Sequence, residues 1–288
     1  MHVIRFLKPA AGLEPYVRHY CQRKARLPRG AVFLVPVPAR AAPLLEFVFG
    51  DRQRAHSCDR PLVRTASSST VVGLQTYRRL QLEITGTLEQ FVVLFQPSGL
   101  HQLFSIPMND LTNEDYDARS VLGPWISQAE QRLGAARSFE ERAGIMDRIL
   151  LNHTRALYRD GVAVSANEIL RSSGRLLIPA SAHRAGLSVR QFERRFTQQI
   201  GMRPKLYARI ARFEAALNYK ARSPAQNWTE IAHHFGYSDQ MHLVHDFREF
   251  SGESPTTTLT QLETSHEAAI KAARLARHRS EDEPRLIL

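Results

Sequence analysis

The sequence predicts an α+β chain: a β-rich N-terminal half closed by a helical segment, then an all-helical C-terminal half carrying two helix-turn-helix units. Three observations predict it. Short runs of Val, Phe, Leu and Ile separated by turn residues fill positions 30–96. Apolar residues at three- and four-residue spacing take over after Pro97. A motif beginning at Ala182 returns 50 residues later, at Ala232.

A chain of 288 residues is long for one domain and comfortable for two. Its 43% hydrophobic and 23% charged content is that of a globular protein. No stretch approaches the roughly 18 apolar residues of a membrane helix. The opening, Met1 to Pro9, has no apolar run of the secretory kind. No membrane association and a cytoplasmic location are therefore expected. Cys21 and Cys58 lack CxxC spacing and read as reduced thiols.

Strands are expected at Ala31–Pro36, Leu44–Phe49, Thr70–Leu74, Arg79–Ile84 and Phe91–Phe95, the last two as a hairpin around Thr85-Gly86-Thr87. Helices are expected at Pro124–Leu133 and Phe139–Tyr158, where Ile145, Ile149, Leu150 and Leu157 share a face. Gly161–Ser165 reads as a short linker. Helices return from Glu168, including Lys205–Ala221, which is closed by Ser223-Pro224. The expected division is 1–160, then 165–262, then an Ala-rich helical or disordered tail over 263–288.

The net charge of +11 favours a polyanionic partner, and its position sharpens the point. Residues 171–222 hold twelve Lys and Arg against Glu193 and Glu214. Residues 223–262 reverse this, with Arg248 against five acids. The basic field belongs to one segment.

That segment begins the repeat. Ala182-His183-Arg184-Ala185-Gly186-Leu187-Ser188 is matched by Ala232-His233-His234-Phe235-Gly236-Tyr237-Ser238, which has one extra residue after its serine. Each is followed by an apolar-stripe helix and a Gly-x-x-Pro corner: Phe192, Phe196, Gly201, Pro204, and Leu243, Phe247, Gly252, Pro255. The spacing has a physical reading. The alanine admits close helix packing, the glycine accepts positive φ in a tight turn, and Ser188 or Ser238 can cap the next helix. That second helix buries its Phe/Leu stripe and leaves its other face for a major groove.

Two such units in tandem, joined by one helix, resemble the AraC/XylS family of bacterial transcription regulators over roughly residues 170–258. The resemblance implies a two-lobed domain that places two recognition helices in successive major grooves of double-stranded DNA, and it implies recruitment of RNA polymerase. The first recognition helix should run over Val189–Ile200, with Val189, Phe192, Phe196 and Ile200 buried. Arg190, Glu193, Arg194 and Thr197 form the polar stripe, and by resemblance they match base- and phosphate-contacting positions. Either arginine can reach guanine O6/N7 or a phosphate, and Glu193 can accept from cytosine N4. Arg195, Arg203, Lys205 and Arg209 read as phosphate contacts.

The second unit departs from this pattern. Its reading face holds Met241, Val244, His245 and Arg248, flanked by Asp239, Asp246 and Glu249. Gln240 is an adenine reader by type, and Met241 could touch a thymine methyl. Protonation of His245 in mild acid would add a cation and tighten binding. The first unit is therefore expected to supply most of the affinity. The histidines at 233, 234, 242 and 245 raise a metal site, but the resemblance accounts for them without one, so neither metal nor cofactor is expected.

Residues 5–125, through Leu13-Glu14-Pro15-Tyr16-Val17, Phe95-Gln96-Pro97-Ser98-Gly99 and Leu103-Phe104, resemble the cupin-type N-terminal regions of some members of the family. This implies sensing of a small effector. A cupin-type metal-dependent enzyme, the alternative from another class, would need clustered His and Glu ligands, and His56 and His101 stand apart. An effector-free architectural DNA-binding protein is the third reading. Helix 139–158 either packs on its own domain or pairs with a second copy in a homodimer.

Overall fold

The computed structural model describes residues 2–154, 160–175 and 177–262. Ten strands form two antiparallel sheets among them. They are β1 (His2–Leu7), β2 (Val17–Arg26), β3 (Val32–Val37), β4 (Leu44–Val48), β5 (Arg54–Ser57), β6 (Val63–Thr65), β7 (Ser69–Val72), β8 (Leu80–Thr85), β9 (Thr87–Phe95) and β10 (Asp115–Asp117). One sheet runs β1-β2-β9-β4-β7-β10, the other β3-β8-β5-β6.

β8 and β9 do not pair with one another, which corrects the expected hairpin. β8 lies between β3 and β5, and β9 between β2 and β4, so the chain changes sheets between them. The corner is Gly86, at φ +61°, where a Cβ would stand 2.2 Å from Asp51 Oδ2. The same Asp51 oxygen accepts the Thr87 N–H at 2.7 Å. A glycine between two apolar runs reads alike for a reversal and for a sheet change; Asp51 selects the second.

Sequence patterning also missed β1 and β2. β2 is ten residues long and central, yet five of its residues are His, Lys or Arg. Only Val17, Tyr20, Cys21, Gln22 and Ala25 are buried, so its apolar alternation is diluted. Tyr20 stacks on Phe91 of β9, and its hydroxyl donates to Asp147 at 2.7 Å.

Helix α1 (Gly99–Phe104) lies between β9 and β10, and α2 (Ala118–Leu122), α3 (Trp125–Ala135) and α4 (Phe139–Leu151) follow β10. α4 starts where Ser138 accepts the Glu141 N–H. It turns Phe139, Ile145, Met146 and Leu150 into its own core, with Phe139 edge-on to Phe91. Of the apolar face expected on this helix, Ile145 and Leu150 are therefore covered within the chain. The helix ends at Leu151, and the expected continuation over 155–158 lies outside the described residues, as does the tail 263–288.

Residues 161–165 are not a linker. They open α5 (Gly161–Arg171), capped by Asp160 accepting the Val162 N–H at 2.8 Å, with Val162, Ala166, Ile169 and Leu170 buried. The small residues that suggested a linker are what let this turn pack closely. Then come α6 (Ile178–Arg184), α7 (Val189–Ile200), α8 (Pro204–Arg222), α9 (Trp228–His234) and α10 (Gln240–Ser251), with a further helical stretch over 255–262. One contiguous apolar core runs from Phe47 and Phe91 in the sheet, through Leu100 and Met108, to Phe196, Phe213 and Phe247. No described helix is long and apolar enough to cross a membrane.

Candidate nucleic-acid interface

Both units of the repeat are built by the same local bonds. α6 ends with Gly186 N–H donating to His183 O (3.0 Å) and Leu187 N–H to Ala182 O (3.0 Å). α9 ends with Gly236 N–H on His233 O (3.1 Å) and Tyr237 N–H on Ala232 O (2.9 Å). This paired arrangement satisfies carbonyls that the helix end leaves open, and it requires positive φ at the glycine, here +66° and +74°. Ala182 and Ala232 are buried at the crossings, as their size predicts.

The starts of the second helices differ. Ser188 caps α7, with Gln191 reaching back to complete the reciprocal pair. In the second unit the extra residue moves the cap on by one. Asp239, rather than Ser238, accepts the His242 N–H at 2.7 Å. That bond holds the Asp239 carboxyl below its usual range. Ser238 Oγ instead contacts His242 Nδ1 at 3.2 Å.

Phe192, Phe196 and Ile200 of α7 are fully buried, and Phe196 meets Tyr207 of α8 edge-on. Val189, expected with them, is 43% exposed. It occupies the first position of α7, where a side chain leaning towards the helix N-terminus overhangs the end instead of the core. In the second unit Leu243, Phe247 and Phe250 are buried, and Phe213 of α8 lies edge-on to both phenyl rings of α10.

On the outer face of α7, Arg190, Arg194 and Arg195 are exposed and make no hydrogen bond or ion pair with the described residues. Arg203, at the start of α8, and Lys205 are likewise exposed. Glu193 and Thr197 are half-buried, and the Thr197 hydroxyl donates to Glu193 O at 2.9 Å, so its proton is already engaged. On α10, Gln240, Met241, His245 and Arg248 are exposed, with Met241 at 68%. Gln240 Oε1 accepts from Thr229 of α9 at 2.7 Å, and His245 Nδ1 lies 3.8 Å from Glu249.

Arg209 departs from the expected phosphate set. Its guanidinium reaches across to α10, 2.6 Å from Asp246 Oδ1 and 2.5 Å from Glu249 Oε2, and sits over Phe250. Burial works against its charge, but the bonds to Glu249 and Asp246 outweigh burial and raise its pKa. A guanidinium so neutralised has little left to offer a phosphate. No sequence signal paired it, because its partners lie 37 and 40 residues away. His245, Asp246 and Glu249 hold ligand atoms within 4.8 Å of one another, but both carboxylates already serve Arg209.

A concavity lies between the two sheets. Val35, Leu82, Ile84 and Leu88 form an apolar wall, and Arg23, Glu46, Gln53 and Gln90 a polar one. Its volume is about 50 Å³, room for a few water-sized groups at roughly 10–15 Å³ each. Burial raises the Glu46 carboxyl, which accepts from Gln90, while Arg23 and Arg40 pull it back down. Gln53 Nε2 is buried without a partner among the described residues. No histidine lines this space; His56 bonds Glu83 at 2.6 Å and His101 the Ile106 carbonyl at 2.7 Å.

A family model described as a helix-turn-helix domain matches residues 181–261. A second, described as a domain of unknown function (DUF6597), matches residues 5–117. No curated protein sequence matches the chain. Among solved structures it is similar to unsaturated-fatty-acid-bound ToxT from Vibrio cholerae, at 7% identity and a TM-score of 0.49, over 85% of this chain and 96% of that one. It is also similar to a putative ethanolamine utilization protein from Salmonella typhimurium, at 6% identity and a TM-score of 0.23, over 32% of this chain and 67% of that one. The AraC-like transcriptional activator CuxR aligns at 11% identity and a TM-score of 0.19, over 97% of this chain and 87% of that one.

Proposed function

Since residues 181–261 form a helix-turn-helix domain of the AraC type, we propose that this chain is a sequence-specific transcription regulator reading promoter DNA chiefly through α7. The observation that carries the reading is the set Arg190, Arg194 and Arg195: three exposed guanidiniums on one capped helix, none engaged by a described residue. A guanidinium with all donors open can fork onto guanine O6/N7, or neutralise a phosphate and release its counterion. Arg203 and Lys205 extend the same basic surface towards the backbone of the duplex.

α10 plays the lesser part. Its outer face offers one cation, Arg248, and one amide, Gln240, beside Asp239 and Glu249. It reads less than α7 does, through Gln240 and Met241 at its exposed start, and this weaker second half-site sets its register on the duplex. Control by a small effector would act through the β-rich half, where the space between the sheets must widen beyond its volume of about 50 Å³ to admit one; its polar wall includes the unpartnered amide of Gln53.

Enrichment of bound duplexes from a random pool tests the proposal. A recurring site with at least one strongly preferred guanine is expected. Uniform enrichment without a preferred sequence would instead favour an architectural DNA-binding protein.

A further inference from the structure

The Gly-x-x-Pro corners that close both units have a role beyond ending a helix. The last carbonyls of any α-helix have no partner within it and carry the negative end of its dipole. Here the β-rich half supplies donors at both corners. Thr112 Oγ1 has one proton and two carbonyls in reach, Met108 O at 3.0 Å and, nearer, Gly201 O at 2.6 Å at the end of α7. The Ala39 N–H donates to Phe250 O at 2.8 Å, in the last turn of α10. Arg78 then approaches the second corner, 3.4 Å from Gln261 Oε1 and 3.9 Å from Glu253 Oε1.

The first corner is close-fitting. A Cβ on Gly201 would stand 2.5 Å from Thr112 Oγ1 and 2.9 Å from Met108 O. The turn Met108–Asp110 packs directly on α7. Between the corners, the Ala41 N–H donates to Glu214 Oε1 at 3.1 Å, on the helix that joins the two units. Arg40 is buried beside that carboxylate; burial lowers its pKa to about 10, and Glu214 is the chief charge working against that. Arg190, Arg194 and Arg195 stay exposed with all these contacts in place.

We propose that the β-rich half positions the two recognition helices for DNA by holding their C-terminal ends from behind, through Thr112 at Gly201 and through Ala39 and Arg78 at the corner after Phe250. The separation and twist between α7 and α10 are then properties of the whole chain. The spacing of the two half-sites it accepts is set by residues that never touch DNA. This rests on the DNA-binding reading above, but it can fail separately.

The test uses the full chain and three duplexes: the site enriched by the native protein, and the same site with one base pair added or removed between its halves. One base pair rotates the second half by about 35°. Fluorescence anisotropy should show the native chain binding the respaced duplexes about tenfold more weakly. A Thr112→Val, Arg78→Ala double variant should bind the enriched site about five- to tenfold more weakly and discriminate spacing by no more than about twofold. Thr112→Ser, which keeps the donor, should behave as native. Should the double variant not fold, Thr112→Val alone is read on the same duplexes, with discrimination at least halved.

A folded double variant that keeps the native spacing ratio would overturn the proposal. Arg194→Ala separates it from the DNA-binding reading. That change should weaken all three duplexes and leave their ratio intact. No enrichment of any duplex by the native chain would remove both.

Discussion

Arg209 and Asp246 form the polar centre of the second unit: Nη2 lies 2.6 Å from Oδ1, and Asp246 is fully buried. Removing the guanidinium would leave a buried carboxylate with no compensating charge. Arg209→Met should therefore lower stability by about 2–4 kcal/mol in a chemical-denaturation measurement. This is below the range for a wholly buried pair, because Arg209 remains 32% exposed. A change under about 0.5 kcal/mol would show that the pair is dispensable.

The same pair separates two kinds of basic residue in DNA binding. If Arg203 and Lys205 each neutralise one phosphate, Lys205→Ala should reduce the slope of log K against log salt by about 1. Arg209→Met, measured under conditions where it is folded, should leave that slope unchanged. An equal drop for both would place Arg209 on the DNA after all.

The glycines give a steric prediction. Gly186 sits at φ +66° with nothing within 4 Å of the place a Cβ would occupy, whereas Gly201 sits at φ +100° against Thr112 and Met108. Gly186→Ala should cost about 1–2 kcal/mol, the left-handed penalty alone. Gly201→Ala adds the collision and should cost about 2–4 kcal/mol. Equal losses in thermal unfolding would mean that the β-rich half yields freely at that corner.

Acid sensitivity should trace in part to His19, whose pKa is pushed down to about 4 by burial and then by Arg18 and Lys8. The sign follows from proton uptake. Between about pH 6.5 and 4 the unfolded chain binds this proton and the folded chain does not, so stability falls as pH falls through that window. His19 is only partly buried, so the loss should be about 1–2 kcal/mol. His19→Gln should flatten the stability profile between pH 6.5 and 4 and leave it unchanged above pH 7.

The helical half was legible because its signals are local. Ala182, Gly186 and Ser188 sit within seven residues, and each acts through its own backbone neighbours. Where one residue was inserted, the local rule still applied but passed from Ser238 to Asp239. The sheets were less legible. The charges of β2 hid a central strand, and Gly86 gave no sign that Asp51, 35 positions earlier, would direct the chain into the other sheet. Within the candidate interface, the exposure of Arg190 and Arg194 followed from helical spacing. The capture of Arg209 by Asp246 did not, because only tertiary packing brings α8 and α10 together.

Reading of bases by α7 through its open arginines is decided by one comparison. Affinities of the native chain and of Arg194→Ala are compared across the enriched site and all its single-base variants, at one fixed salt concentration. Arg194→Ala should lose about 1–3 kcal/mol on the preferred site and become indifferent at one base position, with preferences elsewhere retained. An unchanged affinity, or a preference pattern identical to that of the native chain, would contradict it.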